Sequence, residues 1–182
     1  MVGNETHSII RTVYYIELVC VGIAIEDITE WTIECNPDDI TEDFAAWIAS
    51  SPINRVSIGI QTFNDTRLRW ARRRHTAEQA VTAVKRLRAH GISNISIDLM
   101  FGFPSQTLTE WQHDLQQAIN LKPEHISAYS LTVEEGTPLM SLCEKGTECA
   151  TEDLSLMMYE TLTASLINAG YEHYEISNFA LN

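Results

Sequence analysis

Residues 94–104 read NISIDLMFGFP. In an extended chain successive side chains alternate, so Ile95, Ile97 and Leu99 share one face and Asn94, Ser96 and Asp98 the other. A strand sandwiched between helices is apolar on both faces, so a carboxylate at the carboxyl end of this one requires a reason. Other stretches repeat the pattern. In RVSIGIQTF (55–63), Val56, Ile58 and Ile60 oppose Ser57, Gly59 and Gln61. In WTIECNP (31–37), Trp31, Ile33 and Cys35 oppose Thr32, Glu34 and Asn36. HISAYSLTV (125–133) splits more weakly, with the small row Ala128, Ser130 and Thr132 opposite Ser127, Tyr129 and Leu131.

Helical segments lie between these strands. Thr41 opens TEDFAAWIASS, and Asn64 caps a short helix through Ala71. Thr76 with Gln79 and Thr107 with Glu110 have capping-box spacing, and Gly91 sits where a helix C-terminus wants it. A further helix is predicted at about 151–168, after a loop rich in charge and glycine, with strands at TVYYIELV (12–19) and YEISNF (174–179). Strand–helix alternation in roughly 30-residue units implies right-handed crossovers and a parallel sheet. An open doubly wound sheet and a barrel, whole or partial, both fit, and in each the ligand sits at the carboxyl ends of the strands. The competing architecture, an antiparallel sheet with one solvated face, is opposed by the intervening helices.

The apolar rows must take the helices. The polar rows then face a cavity whose mouth carries Glu34, Gln61 and Asp98. Buried without partners, such groups cost on the order of 1–3 kcal/mol each, so a polar ligand is their natural partner. RLRWARRRHT (67–76) is the strongly basic stretch of the chain; it suits a phosphate or a carboxylate, and equally a solvated helix end balancing nearby acids, and periodicity does not choose which arginine, if any, faces the cavity. His75, His125 and His173 stand alone, and there is no Ser-His-Asp arrangement, Walker-type loop or GxGxxG.

Composition narrows the classes. The chain has 182 residues, 45% apolar content and a net charge of −13, which argues against a nucleic-acid or anionic-membrane binder. The apolar run LVCVGIAI (18–25) is too short to span a bilayer and lacks the basic start of a secretory signal, so a cytoplasmic location is expected. Cys20, Cys35, Cys143 and Cys149 form no C-x-x-C pair; reduced, mostly buried thiols and no metal site are expected.

The ordered motifs IECNPDDIT, NRVSIGIQTFND, RRRHTAEQA, ISIDLMFGFPSQT, HISAYSLTVEEGTPL and YEISNFA resemble the oxygen-independent coproporphyrinogen III oxidase-like radical SAM family, and within it the haem chaperone branch. The resemblance covers about residues 30–180. It implies a partial (β/α)₆ barrel, TIM-like and parallel, whose lumen holds S-adenosylmethionine over a [4Fe–4S] cluster. It implies that Glu34 meets the ribose hydroxyls, that Gln61 and Asp98 line the same site, and that Arg73, twelve positions after the GIQ glutamine, contacts the charged end of the cofactor. Thr132 would touch the adenosine.

Departures from the family are equally specific. The C-x₃-C-x₂-C loop that supplies three cluster thiolates is missing, YYIELVCVGIA stands where the family has a Gly-Gly-Gly-Thr-Pro turn, and the sequence stops just after YEISNFA. The expectation is an atypical segment at 1–30 with a remnant second barrel strand. Residues 31–182 would then form a radical SAM core incomplete at both ends, with barrel strands three to six, a C-terminal helix and an edge strand. The resemblance implies a fragment of a radical SAM protein of tetrapyrrole or haem metabolism, with haem or a porphyrin as partner of the full-length family. The chain alone is expected to be inactive for want of a cluster; the alternative is a non-enzymatic haem- or nucleoside-binding module.

Overall fold

The computed structural model describes residues 28–181. The chain divides between Trp31 and Thr32 into two units, and the sheet belongs to the second. The strand expected at 12–19 lies outside the described residues.

Four strands, β1 (Thr32–Cys35), β2 (Arg55–Gln61), β3 (Ile95–Phe101) and β4 (His125–Ser130), pair in parallel in that order. Their connections are α1 (Glu42–Ala49) after a single 3₁₀ turn, α2 (Asp65–Trp70) with α3 (Ala77–Ala89), and α4 (Leu108–Leu121). The expected caps are in place: Thr41 accepts from Phe44 N, Asn64 from Thr66 N and Arg67 N, and both capping boxes are closed reciprocally. Each satisfies backbone N–H groups that the first helical turn leaves without partners. The fold is an α/β partial barrel built on a mostly parallel sheet.

The apolar rows take the helices, as expected. Val56, Ile58, Ile60, Ile95, Ile97, Leu99 and Ile126 are buried against Ala80, Ala83, Val84 and Leu87 of α3, Trp111, Leu115 and Ala118 of α4, and later helical residues. Small residues on α3 and α4 let the helices sit close to the sheet.

Three expectations are corrected. The loop after β4 contains a short helix, α5 (Pro138–Glu144), capped by Thr137, ahead of the expected helix, α6 (Glu152–Asn168). The single last strand is instead a hairpin, β5 (Glu172–Glu175) and β6 (Asn178–Ala180), and β6 adds antiparallel to β4 while β5 forms the sheet edge. A short connection can only reverse direction; a parallel addition would need another crossover. Finally, Cys143 and Cys149 are joined as a disulfide with their Cα atoms 6.0 Å apart, so the reading of reduced thiols fails for this pair. Cys35 is a free, half-buried thiol whose pKa burial pushes up to about 12, aided by Asp39 and Glu34. Cys20 lies outside the described residues.

Candidate functional site

The polar rows register across the sheet. Glu34 pairs with Ser57, Ser57 with Ser96, and Asp98 with Ser127; in a parallel ladder, partners share a face. The phase on β4 differs from expectation. Ser127 and Tyr129 continue the polar face, whereas Ala128 pairs with Leu99 and is buried in the core. A small side chain signals close packing as readily as polarity, which is why the sequence split was ambiguous there.

Gly59 organises the centre of this face. A Cβ at Gly59 would lie 2.7 Å from Arg73 Nη2 and 3.0 Å from Gln61 Nε2, so both side chains cross the space left by the missing methyl. Arg73 Nη2 donates to the Gly59 carbonyl at 3.0 Å, and its buried Nε has no partner. Gln61 has φ 71°, where the register of β2 against β3 shifts. This left-handed residue re-aims the side chain at the end of the strand, a use to which bulges are often put.

Arg73 reaches the face because α2 ends abruptly. Arg72 turns left-handed at φ 55°, and Arg73 N donates to Leu68 O at 2.9 Å, sealing the helix terminus. The buried His75 ring then holds the Ile60 carbonyl through Nε2 at 3.1 Å. Arg74 goes the other way: its guanidinium is exposed and pairs with Asp38 and Asp39. The choice among arginines that periodicity left open is settled by this turn.

Asp98 has its pKa raised, first by burial and then by the charge of Glu34; a hydrogen bond from Ser127 and the charges of Arg55 and Arg73 act in the opposite direction. Glu34, Arg55, Arg73, Ser127 and Asp98 therefore form one electrostatic neighbourhood, with Gln61 joined to it through Gly59. Thr132 stands apart. It is exposed and lines a groove of about 530 Å³ together with Trp70, Arg72, Leu131, Leu139 and Leu142. The sequence reading did not single out Arg55, Gly59 or Ser127 as site residues. For Gly59 the signal was available, since a glycine interrupting a strand marks close approach by another group.

Because the folded-state pKa of Asp98 lies above its unfolded value, its unfavourable contribution is absent below the unfolded carboxylate range and develops as pH rises through that range to the folded value. Asp98→Asn should abolish this loss, so that urea midpoints measured from pH 3.5 to 7 separate progressively in favour of the variant. A variant less stable than the parent at pH 7 would show that Asp98 is held by attractive rather than unfavourable surroundings.

Carboxylates, a guanidinium and a carboxamide on one polar face, with Glu34 exposed and Gln61, Arg73 and Asp98 half-buried, suit a ligand that offers hydroxyl donors and a carboxylate. No C-x₃-C-x₂-C spacing occurs in the sequence, and among the described residues no three His, Cys, Asp or Glu side chains assemble to hold an ion.

The Radical SAM superfamily model matches residues 2–118, and the chain belongs to that superfamily. It is similar, at 36% identity over 185 residues, to the heme chaperone HemW of Lactococcus lactis, a match covering 99% of this chain and 48% of the relative. The Bacillus subtilis heme chaperone HemW is 39% identical over 155 residues, covering 85% of this chain and 41% of the relative. The chain thus spans about half the length of these relatives or somewhat less. The fold matches the Escherichia coli coproporphyrinogen III oxidase HemN, a radical SAM enzyme, with a TM-score of 0.76 at 22% identity, over 93% of this chain and 39% of that one.

Proposed function

We propose that the face built by Glu34, Gln61, Arg73 and Asp98 is the ribose and carboxylate side of an S-adenosylmethionine site in a cytoplasmic, tetrapyrrole-handling protein of the haem chaperone type. The observation that carries this reading is the convergence of Arg73 and Gln61 over Gly59, beside Asp98. Held there, S-adenosylmethionine would supply radical chemistry only in company with a reduced cluster. In this site Glu34 accepts from the ribose hydroxyls, Gln61 and Asp98 orient the nucleoside, Arg73 pairs with the carboxylate, and Thr132 meets the adenosine at the margin. In this reading the 182 residues, which carry no C-x₃-C-x₂-C spacing, perform no radical chemistry by themselves.

Charge-assisted hydrogen bonds contribute about 1.5–3 kcal/mol each at best, against an ordering cost of several kcal/mol. Millimolar affinity is therefore expected for S-adenosylmethionine. Isothermal titration should show that Glu34→Ala, Asp98→Ala and Arg73→Ala each remove the binding heat, whereas Arg74→Ala, whose parent side chain pairs with Asp38 and Asp39, leaves it. Micromolar binding indifferent to all four substitutions would place the ligand elsewhere. A second reading, a non-enzymatic haem-binding module, is favoured by the apolar groove beside Thr132. A saturable Soret shift on adding haemin, lost in Trp70→Ala but kept in Asp98→Ala, would select it.

A further inference from the structure

The excursion between β4 and α6 has an unusual foundation. From Tyr129 to Met157 no side chain that the structure describes is buried, so no apolar core anchors α5 or the turn after it. The segment is held by polar and covalent means. Leu131 N donates to Phe101 O at 2.8 Å and Ser105 N to Glu148 O at 2.9 Å, tying it to the turn at the carboxyl end of β3. Inside it, Thr137 caps α5, Gly146 N reaches Cys143 O, and Thr147 N reaches Leu142 O. The Cys143–Cys149 disulfide closes the turn across six positions.

Position gives this clasp its consequence. α5 contributes Leu139 and Leu142 to the groove whose opposite side is Trp70 and Arg72. At the other end, Ala150 lies 3.8 Å from the Cβ position of Gly102, which directly follows β3 and therefore the strand of Asp98. Both cysteines are half-buried rather than enclosed.

We propose that the Cys143–Cys149 pair is a thiol–disulfide exchange site, and that its redox state decides whether α5 stands as a wall of the groove. The co-reactant is a dithiol. One of its thiolates attacks a cystine sulfur, the Cys143–Cys149 bond breaks as a mixed disulfide forms and one cysteine leaves as a thiol, and the second thiol of the reductant then displaces the cysteine held in that mixed disulfide. Two electrons and two protons pass to the pair, and the reductant leaves as its own disulfide. The reduced excursion keeps its short-range hydrogen bonds but loses its covalent closure. With no buried side chain in reserve, it opens locally while the sheet stays folded. This inference does not rest on the nucleoside reading: Thr132 lines the same groove, but the exchange chemistry and its readouts use none of Glu34, Gln61, Arg73, Asp98 or a bound nucleoside.

The test uses the full chain, incubated across a series of ratios of reduced to oxidised dithiothreitol. Maleimide trapping with intact mass should show two thiols appearing together in the reduced arm, and Cys143→Ser or Cys149→Ser should abolish the paired transition. Amide exchange over residues 139–150 should quicken at least about tenfold on reduction, as expected when a closed short loop is released, with α4 unchanged as internal control. Both single-serine variants should exchange at the reduced rate whatever the buffer. Two results would overturn the proposal: thiols that never pair in the oxidised arm, or a pair that forms and breaks without altering exchange over 139–150.

Discussion

Trp111→Ala is expected to lower the unfolding free energy by about 3–5 kcal/mol, the usual range for a large aromatic removed from a well-packed interior. The indole is fully buried, rests at a tilt against Phe101 with ring centroids 5.2 Å apart, and donates from Nε1 to the Met158 carbonyl at 2.9 Å. One side chain thus joins α4, β3 and α6. Truncation opens a cavity and removes the indole's hydrogen bond to α6. Trp111→Phe keeps most of the volume and loses the donor, so a smaller loss of about 1–2 kcal/mol is expected. Urea denaturation of the three proteins checks this order; an alanine variant within 1 kcal/mol of the parent would mean that the helices repack without the indole.

The second large effect concerns a buried carboxylate. Asp114 on α4 accepts from Thr62 Oγ1 at 2.6 Å and from Phe63 N at 2.8 Å. Burial raises its pKa, and these two hydrogen bonds oppose the rise. Asp114→Ala strands two buried donors, each costing about 1–3 kcal/mol, so a loss of roughly 2–5 kcal/mol is expected. Thr62 and Phe63 directly follow Gln61, so the same substitution frees the strand end that presents the carboxamide. Exchange of the Phe63 amide should accelerate far more than that of Ile97, whereas Asp114→Asn, which keeps one acceptor, should fall between the two. Equal acceleration at both amides would indicate global destabilisation alone.

The parallel order of the first four strands and the helix caps were legible in the sequence because period-2 rows and capping boxes are local signals. The phase of β4 was not. Ala128, Ser130 and Thr132 are all small, and only the pairing of Ala128 with Leu99 fixes which row is inside. Nor could periodicity choose between Arg73 and Arg74, since the decision rests on one left-handed residue, Arg72, at the end of α2. The terminal hairpin was hidden because Ile176 and Ser177 carry no strong turn signature. The disulfide was hidden because two cysteines six apart can equally be free thiols until the turn between them is known.

The parallel ladder also shapes how the chain reaches this fold. Val56 meets Ile95, and Ser96 meets His125, only after an entire helical crossover has closed. Capped helices can gain order early, while the strands VSIGI and ISIDL wait uncovered. Without proline, and rich in β-branched residues, such stretches are open to intermolecular pairing during that interval. Ser57, Gly59, Ser96 and Asp98 interrupt both runs. The alternation that gives the barrel its polar face thus also places gatekeepers inside its most association-prone strands.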